Sequence, residues 1–456
     1  MGLKDVLSPW QFAAMDKIIR TETYTAEGEA KILKFIEGEI RNERLRMHQI
    51  PLNDGTGRYT LIAELGTPTE EAKCRVLFQG HVDAVSGTSM KDSSEGTLFP
   101  WREQSESVDQ WPDRHNMKVE GDHLLGNQSY DMGPGVMIQM DIGKYHRPAN
   151  GMHIDLAFLP DEESNSVGEK KLEEWILKNG RKYDLCISCE VEPRSDTDID
   201  KRQRIVLGRR GAVKIGSEIQ ISSGTQRHLS VGAESAIRRI GQFEDCFNAD
   251  KNMRSHPILG DEEFTVSAVR ADCRGEATKP YKGQFAYTAN IVPPRQEIPE
   301  GFTTEEIINR EVDRQRSMVE RVLVSMGCDP RVVDLKVFRD KGYKSYLPFY
   351  TEPSNQLVEL VAETAKQVAH KDTDVLFVGG RSNADSNLLY WFFREFYKEL
   401  GMEKPPVVLD IPYRGSGAHS KFERSSIRSI ATVRDIIWRL LSNSLPEYYG
   451  LEVKNQ

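Results

Sequence analysis

Acidic residues and histidines stand at or soon after the ends of four short apolar runs in this 456-residue chain: His81, the Glu162–Glu163 pair, Glu190 and His419. Asp131, at the opening of a helix-like segment, joins them. Imidazole nitrogens and carboxylate oxygens in this mixture are the ligands that a pair of zinc-class divalent ions takes. His81 is followed two positions later by Asp83, a spacing at which an acid can hold the second ring nitrogen and fix the ligating tautomer. Asp161, Glu162 and Glu163 are adjacent acids that repel one another unless a cation or water neutralises them. They follow the apolar run Ile154–Leu159, which should be buried, so a cation is the favoured solution. One carboxylate can then ligate while its neighbour moves a proton. The runs Leu185–Cys189 and Val407–Ile411 lead in the same way to Glu190 and Glu192 and to His419. Histidines 48, 115, 123, 146, 153, 256 and 370 lack such a setting and are read as surface or packing residues.

The elements that must position these residues alternate. Helical spacing fills 8–48 (Trp10, Phe12, Ile18, then Ile32, Phe35, Ile36), followed by a polar turn at Asn53–Gly57. Then come a strand at Arg75–Phe78, a helix from Pro134 to Tyr145, a strand at Ile154–Leu159, a helix across Lys170–Lys178 and a strand at Leu185–Cys189. This order predicts an α/β catalytic domain with a mixed sheet flanked by helices, its ligands gathered beyond the carboxyl ends of strands. From about Arg209 the pattern becomes βαββαβ: Val213–Ile221, a helix over Ala233–Phe247, strands at Phe264–Ala271 and Phe285–Val292, a helix over Thr304–Met326 and a strand at Val332–Phe338. That is the order of a ferredoxin-like sandwich. The α/β pattern resumes near Pro353 with helix Gln356–His370, strand Val407–Ile411 and helix Ser425–Leu441. One domain formed by 1–208 and 350–456, interrupted by an inserted domain over 209–349, is the expected organisation. The tail after Ser442 is expected to be peripheral.

Bulk properties narrow the function. The length favours two domains over a single core. A formal charge of -9 and a pI near 5.7 argue against a nucleic-acid partner. The densest basic stretch, Lys201, Arg202, Arg204, Arg209 and Arg210, is read as a solvated strand edge. No apolar run approaches the ~20 residues that span a bilayer, and a secretory layout is missing at the N-terminus, so a cytoplasmic location without membrane attachment is expected. The six cysteines read as reduced core residues; Cys186 and Cys189, on one strand, would face opposite ways and could not grip one metal.

Taken in order, Gly80-His81-Val82-Asp83, Gly126-x-x-x-x-Asp131-Met132, Pro160-Asp161-Glu162-Glu163, Glu190-x-x-Pro193 and Gly417-Ala418-His419-x-x-x-Glu423 resemble the motif set of the M20 family of metallopeptidases and deacylases. The similarity extends over nearly the whole chain. It implies a zinc-peptidase-like catalytic domain with a lid and dimerisation insert, and two divalent metal ions, zinc first, with cobalt or manganese as alternatives. By the same resemblance His81 ligates one ion and His419 the other, Asp131 bridges them, Glu163 completes the His419 side and Glu190 the His81 side. Glu192 is the alternative to Glu190, because the family usually places this acid directly before a proline, here Pro193. Glu162 matches the general base and Asp83 the acid behind the histidine. Gly224-Thr225-Gln226-Arg227-His228 resembles a lid motif whose histidine reaches the substrate carbonyl, Asn290 a lid asparagine that contacts substrate, and Gly379-Gly380-Arg381 a glycine-rich loop in which Arg381 can meet a carboxylate.

The chain departs from the pattern in three places. Gly133-Pro134-Gly135 replaces the usual Lys-Gly-Gly, the Asp-x-Arg after Asn-Ile-Val-Pro is missing, and 86–115 is longer and more polar than usual. The expected activity is hydrolysis of an amide in a small N-acyl amino acid or dipeptide-like substrate by metal-activated water, in a homodimer formed through the lid. A dipeptidase or carboxypeptidase is the runner-up. A catalytically inactive metal-binding or regulatory module is the rival of another class.

Overall fold

The structure, a computed structural model, describes residues 6–85, 115–191, 202–221, 245–246, 248–250, 253–272, 281–294, 302–325, 333–339, 344–369, 374–402, 404–419 and 423–452. In chain order the elements are α1 (Pro9–Arg20), α2 (Ala26–Ile40), β1 (Arg46–Pro51), β2 (Tyr59–Gly66), β3 (Cys74–His81), β4 (Lys118–Glu120), β5 (His123–Leu125), α3 (Gly133–Tyr145), β6 (Met152–Leu159), α4 (Val167–Asn179), β7 (Leu185–Ser188) and β8 (Gln203–Arg209). They continue with β9 (Gly211–Ile221), β10 (Ser255–His256), β11 (Gly260–Asp261), β12 (Glu263–Asp272), β13 (Tyr281–Ile291), α5 (Thr304–Ser325), β14 (Val333–Arg339) and β15 (Phe349–Tyr350). The last are α6 (Gln356–Val368), β16 (Val375–Gly380), α7 (Asp385–Glu399), β17 (Val407–Asp410), β18 (Gly415–Ser416), β19 (Arg424–Ser426), α8 (Ile427–Arg439) and α9 (Leu445–Tyr448).

The described residues divide into two compact units, one holding those before 209 and from 350 onward, the other those of 209–349. In the first, a nine-stranded mixed sheet runs β1-β2-β6-β3-β7-β17-β8-β15, with β16 paired to β8. Its central strands β6, β3, β7 and β17 are parallel, so their carboxyl ends share one edge. β6 is buried along its whole length, as apolar runs in a sheet covered on both faces should be. Helices flank the sheet. Ser8 caps α1 in a reciprocal box with Gln11, and Pro134 sits in the first turn of α3, where its missing N–H costs nothing. A small sheet, β18-β19-β5-β4, joins the end of the chain to the segment before Asp131.

The second unit holds a four-stranded antiparallel sheet in the order β12-β13-β9-β14, the ferredoxin-like arrangement, with α5 packed on it. The helix expected over 233–247 lies largely outside the described residues.

Two expectations are corrected. Arg209 and Arg210 do not form a solvated edge: both are buried, and Arg210 donates to the Leu259 carbonyl at 2.9 Å and pairs with Glu263 at 3.1 Å. Long aliphatic stems let arginine enter a core once its head group is paired. The tail after Ser442 is not peripheral either, since Leu445 and Leu451 belong to the hydrophobic core. Among the described residues no helix is long and apolar enough to cross a membrane.

Candidate metal centre

The parallel strands deliver their side chains to one place. His81 ends β3, and its Nε2 lies 3.1 Å from Asp131 Oδ1 and 3.6 Å from Glu190 Oε2. His419, in the left-handed region at φ 62° just after Gly417, points Nε2 to within 3.1 Å of Asp131 Oδ2 and 3.0 Å of Glu163 Oε1. One carboxylate, that of Asp131, thus faces both imidazoles with a different oxygen. His81, Asp131 and Glu190 form one group, and Asp131, Glu163 and His419 a second; within each, the ligand atoms lie within 4.8 Å of one another. His81, Glu162 and Glu163 form a third such group, which places the expected base beside the same histidine.

Asp83 does something the sequence did not suggest. The nearest partner of His81 Nδ1 is the Asp83 main-chain oxygen at 3.1 Å, with the carboxylate at 3.6 Å. The Asp83 carboxylate instead accepts the backbone N–H groups of Glu162 (3.1 Å) and Glu163 (2.9 Å). It therefore ties the acidic turn after β6 to the strand end that bears His81. Asp161 points elsewhere: its φ is 70°, and its Oδ1 accepts from Arg58 Nη1 at 2.9 Å.

Glu423, four positions after His419, is the other residue whose work was hidden. Its carboxylate accepts the backbone N–H groups of Gln128 (3.1 Å), Tyr130 (2.9 Å) and Asp131 (2.8 Å), and its carbonyl accepts Ser129 Oγ at 2.9 Å. Gln128 in turn donates to the Val82 and Asp83 carbonyls at 2.8 and 2.6 Å. Glu423 thus holds the loop that presents Asp131. Its place in the motif was visible, but a capping role over a loop some 290 residues distant was not.

Electrostatics shows what the cluster needs. Burial pushes the Glu162 carboxyl well above its usual range, reinforced by the Asp385, Glu163 and Glu190 charges and opposed by His81. Burial also raises Glu163, against the pull of His419. Both histidines are raised well above neutral values: His419 chiefly by the Glu163 charge, and His81 by hydrogen bonds to Asp131 and Asp83 that outweigh its burial. Protons accumulate because so many carboxylates share so little solvent. Divalent cations would replace those protons, and the imidazole and carboxylate donors suit zinc, cobalt or manganese. The residues fit a pair of such ions.

The remaining expected residues are not among those shown to meet in the cluster. Glu192 and His228 lie outside the described residues. Arg381 follows β16, half-buried, and takes no part in the hydrogen bonds or ion pairs of the cluster. Asn290 lies on β13 of the second unit. A further group of potential ligands, Glu64, His153 and Asp155, is already satisfied internally: Arg181 and His48 each reach Glu64 at 2.6 Å, and His153 meets Asp155 at 3.0 Å. It is a polar network within the sheet. Cys186 and Cys189 are buried free thiols that burial pushes up, away from the thiolate a metal requires.

No family model and no curated protein matches the sequence. Solved structures do. Aminopeptidase PepT from Bacillus cereus aligns with a TM-score of 0.60 at 13% identity, over 94% of this chain and 97% of its own. The dipeptidase Dug1p from Saccharomyces cerevisiae gives 0.58 at 14% identity, over 98% and 97%. The YXEP protein of Bacillus subtilis, described as a dinuclear metal-binding peptidase of the M20 family, gives 0.55 at 12% identity, over 95% and 97%. Over nearly its whole length, therefore, this chain has the fold of the M20 family metallopeptidases, whose ordered motifs its sequence resembles.

Proposed function

We propose that the chain is a dinuclear metal-dependent amidohydrolase acting on a small N-acyl amino acid or dipeptide-like substrate. The observation that carries this reading is the Asp131 carboxylate set between His81 and His419, with Glu190 and Glu163 completing the two sides and Glu162 adjoining them. His81, Asp131 and Glu190 would hold one cation, and Asp131, Glu163 and His419 the other. When bound, such ions polarise a scissile carbonyl and lower the pKa of water. Zinc is the first choice.

The chain's own groups do the rest. Glu162, partly buried and surrounded by negative charge, is a carboxylate with a raised proton affinity, suited to take a proton from water and return it to the leaving nitrogen. Asp83 fixes its direction by accepting the Glu162 and Glu163 N–H groups, and its carbonyl orients His81. Arg381, His228 and Asn290 keep the substrate contacts that the motif resemblance implies. Self-association through the inserted unit belongs to the same proposal, and sedimentation measures it.

The test is metal-stripped protein, reconstituted in turn with zinc, manganese and cobalt, assayed against a panel of N-acyl amino acids and a panel of dipeptides by release of free amine. Turnover of the acylated panel, dependent on added metal, is the expected result. Turnover of the dipeptides alone moves the assignment to a peptidase. Silence in both panels overturns the enzyme reading in favour of a binding module.

A further inference from the structure

Arg58 lies in the loop before β2, far from any motif, yet its guanidinium joins the turn that carries Glu162. Nη1 donates to Asp161 Oδ1 at 2.9 Å and to both oxygens of Glu29 on α2 at 2.9 and 3.1 Å. The opposite edge of the guanidinium is fixed by Asp54, at 2.6 Å from Nη2 and 3.1 Å from Nε. Three carboxylates therefore set one planar fork, which a lysine ammonium cannot reproduce. The side chain is 12% exposed, so solvent does little to loosen it.

Asp161 is where this grip acts. It adopts a left-handed φ of 70°, which a short polar side chain able to hydrogen-bond locally accommodates, and its contacts fix the turn there. Its carbonyl accepts the N–H groups of Asn165 (3.1 Å) and Ser166 (2.6 Å), and its Oδ2 accepts that of Val167 at 3.4 Å, where α4 begins. The whole turn from 161 to 167 thus hangs from Asp161 on one side and from the Asp83 carboxylate on the other. Release of Asp161 would leave the Glu162-bearing residues held chiefly by the Asp83 carboxylate, through the Glu162 and Glu163 N–H groups.

We propose that Arg58 is a positioning residue for the base, acting through Asp161 to hold the Glu162-bearing turn. The inference rests on the assignment of Glu162 as the general base, but its structural half can be tested without that assignment.

The experiment uses full-length protein carrying Arg58→Gln, the charge-retaining Arg58→Lys or Asp161→Asn alone, and each Arg58 change combined with Asp161→Asn. Hydrogen exchange in the metal-free proteins reads the turn directly: amides within 162–167 should exchange about tenfold faster in both Arg58 variants while β2 keeps its wild-type rates. With metal restored, kcat should fall roughly 10–10²-fold in R58Q and less in R58K, with KM within about twofold and metal content unchanged. Adding Asp161→Asn to R58Q should lower kcat no further, because the residue through which Arg58 acts is already released. If R58Q does not fold, R58K carries the same comparisons. Unchanged exchange in the turn, additive losses in the double variants, or faster exchange spread evenly through α2 and β2 would each overturn the proposal. Faster exchange confined to the turn, in a protein whose wild type hydrolyses neither substrate panel, would sustain the positioning role and defeat the hydrolase assignment instead.

Discussion

Asp131 Oδ2 lies 3.1 Å from His419 Nε2 while its other oxygen lies at the same distance from Nε2 of His81, so a single carboxylate spans two imidazoles drawn from distant parts of the chain. Asn keeps the shape of Asp but offers one acceptor oxygen and a donor NH₂. Asp131→Asn should weaken binding of both ions, by at least about 10²-fold for one of them. Metal analysis after dialysis against a weak chelator checks this, and retention of two tightly held ions would remove Asp131 from the bridging role.

Glu162→Gln preserves size and removes the proton acceptor. Proton transfer of this kind contributes roughly 10²–10⁴ in rate, so kcat should fall by that factor while metal content stays at the wild-type level. A variant with wild-type kcat would show that another group moves the proton.

Glu423→Gln places an NH₂ where backbone N–H groups of Gln128, Tyr130 and Asp131 now find acceptors. Leaving buried donors unmet costs about 1–3 kcal/mol, so thermal stability should drop. Metal affinity should fall roughly 10–100-fold, as for other residues that orient a ligand. Isothermal titration on the metal-free variant separates the two effects, and unchanged affinity would make Glu423 a stability residue alone.

Gly168, at the start of α4, leaves no room for a side chain: a methyl there would approach the Pro160 carbonyl oxygen to 2.3 Å. Gly168→Ala must therefore shift the backbone on one side of the acidic turn, at a cost of about 1–3 kcal/mol. Both melting temperature and kcat should decline. A variant as active as wild type would mean that the turn tolerates displacement of its base.

His146 supplies an acid-dependent component of stability. Burial pushes its imidazole down to about 4, with the Arg44 charge adding to the effect. The unfolded chain takes up this proton near pH 6.5 and the folded chain near 4, so stability from His146 is complete above about pH 6.5 and is lost as pH falls towards 4, by roughly 3 kcal/mol in all. Denaturant unfolding of His146→Gln between pH 4 and 7 should show a shallower acid slope than wild type. Equal slopes would place the titration elsewhere.

Four of the five candidate ligands, His81, Glu163, Glu190 and His419, stood out because they sit at or soon after the ends of apolar runs, and in a parallel sheet those ends converge whatever the loops between them do; Asp131 stood out only as the opening of a helix. In the inserted unit the four strands and the second helix of the pattern were readable for a local reason, alternation switching to long helical spacing at α5; the first helix lies largely outside the described residues. The strands β1 and β2 escaped notice although the polar turn between them was plain, because β2 is buried at seven successive positions and shows no alternation. Helix α7 was also missed: its run of tyrosine, tryptophan and phenylalanine fits a buried strand as well as a helix. The roles of Arg58 and Glu423 could not be read from the sequence, although Glu423 stood within a motif. The Asp161 partner of Arg58 lies 103 residues away, and Glu423 grips main-chain N–H groups, which every residue but proline possesses, in a loop some 290 residues away.

The pairing of β19 with β5, together with the hold of Glu423 on the loop before α3, makes completion of the centre a late event in the life of each molecule. A nascent chain that has emerged only as far as α7 already owns His81, Asp131, Glu162, Glu163 and Glu190, but the loop presenting Asp131 still lacks its clasp and the second imidazole is still inside the ribosome. On the proposed assignment, the ligand group Asp131, Glu163 and His419 would be complete only once the C-terminal segment is in place, so truncated products would lack it.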